Sequence, residues 1–351
     1  MIPPARGCLY APDMVDEDAP RRFKLLGVRA VKITENRLMI LRGRTRLTFE
    51  APEAAAAWTQ LDALTTEHGA AIEDVVTRLD RPQDGAALAL AELLISRGLL
   101  VEANSVGQIE GVGLSAAETV YWWDQGRQAQ GAREGVTSFR AVVLGVNAIG
   151  EALWASLRHS GFSAVRWIDL PALRNADSLS QAEDFEAFLD SASDIDLLVV
   201  CSDAGAVEDL RDWNAFSIAE TLPFLPVLFD DSRGLVGPWV QPNRSACFEC
   251  FWRRWSSVDG QPPPAAERRA QAGPYAAGHL PAMASLLAQA AAIEINRAAG
   301  GLIPNTLNGV MHYDLQETSL TRRPLLKAPF CPVCGPMRVT PTLRRDGDGL
   351  S

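Results

Sequence analysis

The alternation of apolar and polar positions changes character along this chain, and the changes mark its organisation. Between residues 25 and 50 apolar residues recur at every second position in short runs. The runs at 28–33, 37–41 and 46–49 read as three strands, with Glu35-Asn36 and Gly43 at the turns. From 52 onward the period lengthens to that of a helix, which predicts helices over 52–65, 71–78 and 85–97. Gly98 closes the last of them, and 99–102 can return as a strand. Ser115-Ala-Ala-Glu118 has the form of a capping box and starts a further helix through Tyr121, Trp122 and Trp123, whose two tryptophans are expected to serve packing between domains. Beyond 140 the pattern shifts again. Residues 141–144, 164–168, 196–201 and 226–229 are mainly apolar runs that read as strands of an α/β sheet, and 151–158 has helical spacing. An alanine-rich helix over 282–299 and a closing strand pair at 305–310 and 311–315 complete the succession.

These elements divide the chain into a loose lead-in over 1–20, a small domain over 21–105, a linker helix region over 106–138, an α/β domain over 139–340 and a tail over 341–351 expected to be disordered. A three-stranded ribbon followed by three helices is the plan of a winged helix-turn-helix. Such a domain can put a basic helix into DNA, but the helices here carry Glu67, Glu73, Asp74, Asp80, Asp84 and Glu92, which phosphates repel. It can also take an extended peptide on the free edge of its ribbon, where main-chain hydrogen bonds give affinity and side-chain pockets give selectivity. Arg42, Arg44 and Arg46 lie on or beside the last strand. They fit an acidic peptide and a solvated, charge-protected edge equally well.

In the α/β domain one turn joins the first strand to its helix, Gly145-Val-Asn147-Ala-Ile-Gly150. In a nucleotide-binding fold, glycines at this turn let the backbone approach a phosphate at the positive end of the helix, yet the middle glycine of the pattern is Asn147 here. Asp169 ends the second strand, where an acid commonly bonds a ribose. Asp203 follows a later strand, at the carboxyl edge where ligands of parallel sheets collect, and reads as a remnant of a metal or phosphate position.

Two C-x-x-C pairs, Cys247/Cys250 and Cys331/Cys334, carry the strongest chemical signal in the chain. Four thiolates are the tetrahedral set of a closed structural zinc site, with no position open for water, so the metal is expected to pin the distant second pair onto the core. Cys8 and Cys201 fall outside the pattern, and Cys201 is read as a core residue. Between the pairs, 256–278 is rich in Pro, Ala and Gly and reads as a surface crossover loop. The lone histidines His279 and His312 read as structural. No Ser-His-Asp or Cys-His arrangement supports a catalytic role. A net charge of −10 argues against general nucleic-acid binding. With no apolar run of membrane length and no signal-peptide core, the expected location is the cytosol, where cysteines stay reduced.

Over roughly 135–335 the chain resembles the ThiF-like, ubiquitin-activating superfamily, whose members adenylate a carboxyl terminus with ATP. The resemblance rests on Gly145 to Gly150, Asp169, Asp203, Gly237-Pro-Trp-Val-Gln-Pro-Asn-Arg-Ser-Ala-Cys247-Phe-Glu-Cys250 and Cys331-Pro-Val-Cys334. The active members carry a further Asp, an Asn, an Arg and a Lys about the phosphates. Here 169–181 has Arg174 and Asn175 at another spacing, and no lysine lies between that segment and the strand at 196. Adenylation needs those positive groups and a bound metal, so the sequence argues against ATP chemistry by this chain and for a non-catalytic subunit.

The order of parts, a peptide-binding winged helix, a drifted ThiF-like fold and a four-cysteine zinc site, is similar to the leader-peptide-binding partner proteins of azoline-forming (thiazole/oxazole-modified microcin) pathways. In that family the N-terminal domain, a RiPP recognition element, clamps the leader of a ribosomal precursor between its third strand and third helix, and a separate YcaO cyclodehydratase forms the rings. Carried onto this chain, the resemblance implies a clamp of Arg46, Leu47, Thr48 and Phe49 with the helix 85–97, where Leu88, Glu92, Ile95 and Arg97 are candidates to face the groove. It implies a leader peptide and a YcaO enzyme as partners, zinc as a structural metal, and leaves a homodimer open. The alternative is an ATP-dependent adenylating enzyme of the ThiF type acting on a peptide carboxyl group.

Overall fold

The computed structural model of the chain describes residues 22–34, 37–50, 54–65, 69–71, 74, 86–103, 115–145, 148–168, 194–202, 207–230, 233–258 and 280–335. The lead-in 1–20, Cys8, most of the crossover loop, His279 and the tail 341–351 lie outside the described residues. The chain divides into two compact units, residues 1–133 and 134–351.

The first unit begins with β1 (Arg22–Leu25), β2 (Arg29–Thr34), β3 (Arg37–Arg42) and β4 (Thr45–Glu50). It continues through α1 (Ala54–Thr65), β5 (Ala70–Ala71), α2 (Ala86–Ser96), β6 (Leu100–Glu102) and α3 (Ala116–Asp124). The expected ribbon is present as an antiparallel sheet of order β2-β3-β4. Period-2 patterning directs Leu38 and Ile40 of β3 into a core shared with Trp58 and Leu61 of α1 and with Ala91 and Leu94 of α2. Two features depart from the sequence expectation. Phe23 and its neighbours form β1, the centre of a second small sheet of order β5-β1-β6, and Ala71 belongs to β5 instead of opening a helix. The rest of that expected helix, save Asp74, is outside the described residues. Strands this short carry too few positions for a period to show. Gly69, at φ +68°, makes the approach to β5, since a Cβ there would meet the Phe23 carbonyl oxygen at 2.8 Å.

The capping box is formed: the Ser115 Oγ accepts from the Glu118 N–H at 3.2 Å, and the Glu118 carboxylate accepts from the Ser115 N–H at 2.8 Å. It starts α3 one residue later, and Trp123 of that helix packs with Leu26, Val101 and Val120.

Helix α4 (Ala129–Ser138) carries the chain across the boundary between the units. The second unit then runs through β7 (Arg140–Leu144), α5 (Ala148–His159), β8 (Ala164–Ile168), β9 (Leu197–Ser202), α6 (Val207–Ala219) and β10 (Phe224–Asp230). Next come β11 (Arg233–Val236), α7 (Phe248–Val258), α8 (Pro281–Ala299), β12 (Gly309–Asp314) and β13 (Ser319–Pro324). They form one mixed sheet of order β13-β12-β11-β10-β9-β7-β8, in which β8, β7, β9 and β10 are parallel and the remaining pairs antiparallel.

Alternate residues of the parallel strands feed two cores. Val143, Val199 and Val227 pack under α5 and α8, whereas Val142, Val200 and Leu228 pack under α6 and α7. Every residue of β9 is buried, as a strand covered on both faces requires. Ala288, Ala291 and Ala292 of α8 let it pack closely with α5. Cys201 lies in this core, as expected. The closing strand pair is β12 with β13, one element later than the sequence suggested. Residues 305–308 are a turn, with Asn308 at φ +52°, and β13 is exposed along its whole length, so no apolar alternation announces it.

Candidate functional site

Three places drew attention in the sequence, and the structure treats them differently. The ribbon is the first. Arg46, Leu47, Thr48 and Phe49 all lie on β4, opposite Leu41, Ile40, Met39 and Leu38 of β3. Among the described residues β4 pairs with β3 alone, so its other edge keeps unspent N–H and C=O groups. Leu47 and Phe49 turn into the same core as Ala91 and Leu94 of α2, while Arg46 and Thr48 point outward. Glu92, Ile95 and Arg97 are exposed at the α2 end of that core, and Leu88 has no described side chain. Edge strand and helix are thus joined by one core with their outer residues free. Arg42 departs from the expectation. It belongs to β3, is buried, and its guanidinium donates to the Gly98 carbonyl and the Asp124 carboxylate, which ties ribbon, α2 and α3 together. Of the three arginines read from the sequence, Arg44 and Arg46 remain outside.

The nucleotide-type turn is the second. Gly145 follows β7 at φ +152°, a conformation that favours glycine, and its N–H donates to the Ile168 carbonyl at 3.2 Å. Trp167 Nε1 donates to the Gly145 carbonyl at 2.8 Å, which occupies that oxygen with a side chain of the neighbouring strand. Gly150 is buried in the first turn of α5. The turn sits where strand order reverses between β7 and β9, the place ligands take in open α/β sheets. Asn147, Asp169 and Asp203 lie outside the described residues.

The cysteines are the third. Cys247 precedes α7 and Cys250 lies in its first turn, and Cys331 and Cys334 follow β13. All four are buried, and their sulfurs lie within 4.8 Å of one another. The Sγ–Sγ distances are 3.8 Å for Cys247–Cys250, 3.7 Å for Cys247–Cys331 and 3.4 Å for Cys250–Cys334. Four sulfurs at about 2.3 Å from a central zinc stand about 3.8 Å apart, so the set fits a tetrahedral metal ion. Without a cation, Cys247 donating to Cys250 pushes the Cys247 thiol up, with hydrogen bonding to Cys334 and burial adding to it. The same donors hold the Cys250 thiol low. A divalent ion removes the mutual repulsion that keeps the other thiols protonated.

The residues that hold these cysteines were not legible in the sequence. Asn214 Oδ1 of α6 accepts from the Phe248 N–H at 3.0 Å, and Asn308 Oδ1 accepts from the Ala246 N–H at 3.1 Å, so two side-chain amides grip the first pair from both sides. The Asn308 carbonyl also accepts from the Leu325 N–H at 2.9 Å, where the chain leaves β13 toward the second pair. The Ala328 N–H donates to Cys250 Sγ at 3.3 Å and the Arg253 guanidinium to the Phe330 carbonyl at 3.2 Å. Glu249, inside the first pair, takes a two-point ion pair from Arg211 at 2.6 and 3.0 Å, and Arg211 binds Glu208 as well. Both glutamates are buried. These side chains are spread over three segments and follow no local spacing.

Fold and cysteine cluster together define a mixed α/β protein with four buried cysteines close enough to hold one metal ion. No protein-family model matches the chain, and no curated sequence matches it. Solved structures do. The chain superposes on the heterocyclase TruD with TM-score 0.59 at 19% identity, over 90% of this chain and 43% of that one. A heterocyclase in complex with substrate and cofactor gives TM-score 0.57 at 19% identity, over 90% and 40%. MccB of E. coli, solved with AMPCPP and MccA, gives TM-score 0.61 at 13% identity, over 90% of this chain and 100% of that one. The chain therefore spans about two-fifths of the heterocyclases and the whole of MccB, and it shares their fold. The mixed α/β fold with a large sheet that the sequence resemblance implied is the one found.

Proposed function

We propose that this protein binds the leader of a ribosomally made precursor peptide along the open edge of β4 and presents it to a separate YcaO-type cyclodehydratase that forms thiazoline or oxazoline rings. The observation that carries the reading is the edge itself. Among the described residues β4 has one ladder partner, an inner row (Leu47, Phe49) anchored in the core beside α2, and an outer row (Arg46, Thr48) left free. An added strand completes such a ladder, and Arg46 selects acidic side chains. On this reading the first unit is a winged helix used for peptide recognition in the cytosol. The second unit is a scaffold, and zinc held by Cys247, Cys250, Cys331 and Cys334 fastens its C-terminal segment. The fold shared with two heterocyclases supports the pathway class. The test is fluorescence anisotropy with a labelled leader peptide encoded beside this gene. Saturable binding at micromolar affinity or better is expected, and no binding by the full chain would overturn the reading.

One observation favours a second reading. MccB, of similar length and fold, has been solved with AMPCPP and with ATP. An adenylating enzyme would catalyse pyrophosphate–ATP exchange with its peptide, and the leader-binding reading expects none.

A further inference from the structure

The two most exposed large apolar side chains among the described residues lie close together in the chain, on a segment that is otherwise tied down. Leu326 is 75% exposed and Phe330 89%. Single apolar residues on a surface are ordinary and need no partner. These two differ because the backbone that carries them is held at nearly every step. Leu325, just before them, is buried in the core under α7, and its N–H is bonded to the Asn308 carbonyl. Two consecutive arginines of α7 then reach across: Arg254 donates to the Leu326 carbonyl and Arg253 to the Phe330 carbonyl. Between these points the Ala328 N–H is bonded to Cys250 Sγ, and the Ala328 carbonyl accepts from the Cys331 N–H at 3.1 Å. Pro329 and Pro332 restrict the chain on either side of Phe330. The two side chains are held out in water by a fixed backbone.

The surroundings carry positive charge. Lys327 is exposed, and neither it nor Arg254 has a carboxylate partner among the described residues. Arg253 shares Glu249 with Arg211, at 3.7 Å, so its charge is partly met. No acid occurs within 325–335. Protein interfaces concentrate their binding energy in apolar anchors of this kind, because a preordered backbone loses little freedom on docking. The charge says what can cover them: a protein surface with an apolar cleft and a carboxylate rim. A second copy does not fit, since a two-fold contact sets Arg254 and Lys327 against their own counterparts. A bilayer fits poorly too, as two side chains bury less apolar surface than the single acyl chain that holds a membrane only marginally.

We infer that Leu326 and Phe330, with Lys327 and Arg254 beside them, form the docking surface for the separate cyclodehydratase, which meets them with an acid-rimmed apolar cleft. The inference rests on the leader-binding reading, which requires a second protein and a surface for it away from the β4 edge.

The test measures two affinities of the full chain: the labelled leader peptide by anisotropy, and the YcaO-type enzyme encoded beside this gene by biolayer interferometry. The wild type is expected to bind the enzyme saturably, with an affinity that falls as salt is raised. Phe330→Ala should weaken that binding about thirtyfold and Leu326→Ala about tenfold. Lys327→Glu should weaken it about tenfold and make the salt dependence shallower. All three variants should keep the wild-type melting temperature and leader affinity, because the exchanged side chains are exposed. Equal enzyme binding by the wild type and Phe330→Ala overturns the inference, as does no enzyme binding by the wild type. The leader affinity then shows whether the leader-binding reading falls with it. Sedimentation with phosphatidylserine vesicles that Phe330→Ala abolishes would assign the pair to lipid and also overturns the inference.

Discussion

Strands β9 and β4 have six residues each and opposite surroundings. β9 pairs with β7 on one side and β10 on the other, lies between two cores, and buries all six residues. Among the described residues β4 pairs on one side only, buries alternate residues in part, and leaves Arg46, Thr48 and Glu50 to solvent. A strand whose hydrogen bonds and faces are all taken up can only support. One with an open edge still has affinity to give. The fully buried strand therefore belongs to the larger unit, and the edge that the proposed function uses belongs to the smaller one.

The largest effect should come from the cysteines, which on the proposed reading hold a zinc ion that fastens the second unit's C-terminal segment. Cys334→Ser removes a ligand from a set whose zinc affinity in small domains is worth on the order of 10 kcal/mol. Loss of bound zinc by elemental analysis and a sharply lower melting temperature are expected. Retention of stoichiometric zinc would break the contrast between a pinned scaffold and an open edge.

Within the contrast itself, Leu198→Ala in β9 should cost about 2–5 kcal/mol in urea unfolding, because Leu198 is fully buried. Thr48→Ala in β4 should stay within about 0.5 kcal/mol. Equal costs would mean that the β4 edge is not free. A smaller effect is expected for Ser115→Ala, which deletes the hydroxyl that accepts from the Glu118 N–H, keeps the backbone N–H bonded to the Glu118 carboxylate, and should cost about 1 kcal/mol.

The smallest effect is one of pH. Burial, then the nearby Arg323 and Arg233 guanidiniums, hold His312 below its ordinary value against the pull of Asp314. A folded-state value lowered in this way means that the unfolded chain binds the proton more readily. Stability should then rise with pH up to about 6.5, the unfolded value, and level off above it. His312→Asn should flatten that rise in a melting-temperature series.

The sequence revealed the parts of this molecule that rest on local repetition. The ribbon, the parallel strands, the alanine-rich helix and the capping box all have a period or a fixed spacing, and each lies within a residue or two of its expected place. The two C-x-x-C pairs were legible for the same reason. Strands β1, β5 and β13 were not, since two of them are too short for a period and the third has no buried row. Side chains that act across the chain were hidden altogether. Arg42 read as an outward arginine, for docking or for a solvated edge, because sequence gives its position next to Arg44 and Arg46 and cannot give the burial that commits it to Asp124. Asn214 and Asn308 meet the first cysteine pair only after α6 and the turn before β12 are packed around it.

The central claim is that the edge of β4 is the recognition surface. The most direct measurement is anisotropy of the labelled leader peptide with the full chain, wild type against Arg46→Glu. Micromolar or tighter binding by the wild type is expected, weakened about tenfold, or roughly 1.4 kcal/mol, by the charge reversal at an unchanged melting temperature. Equal affinity of the two proteins would contradict the account.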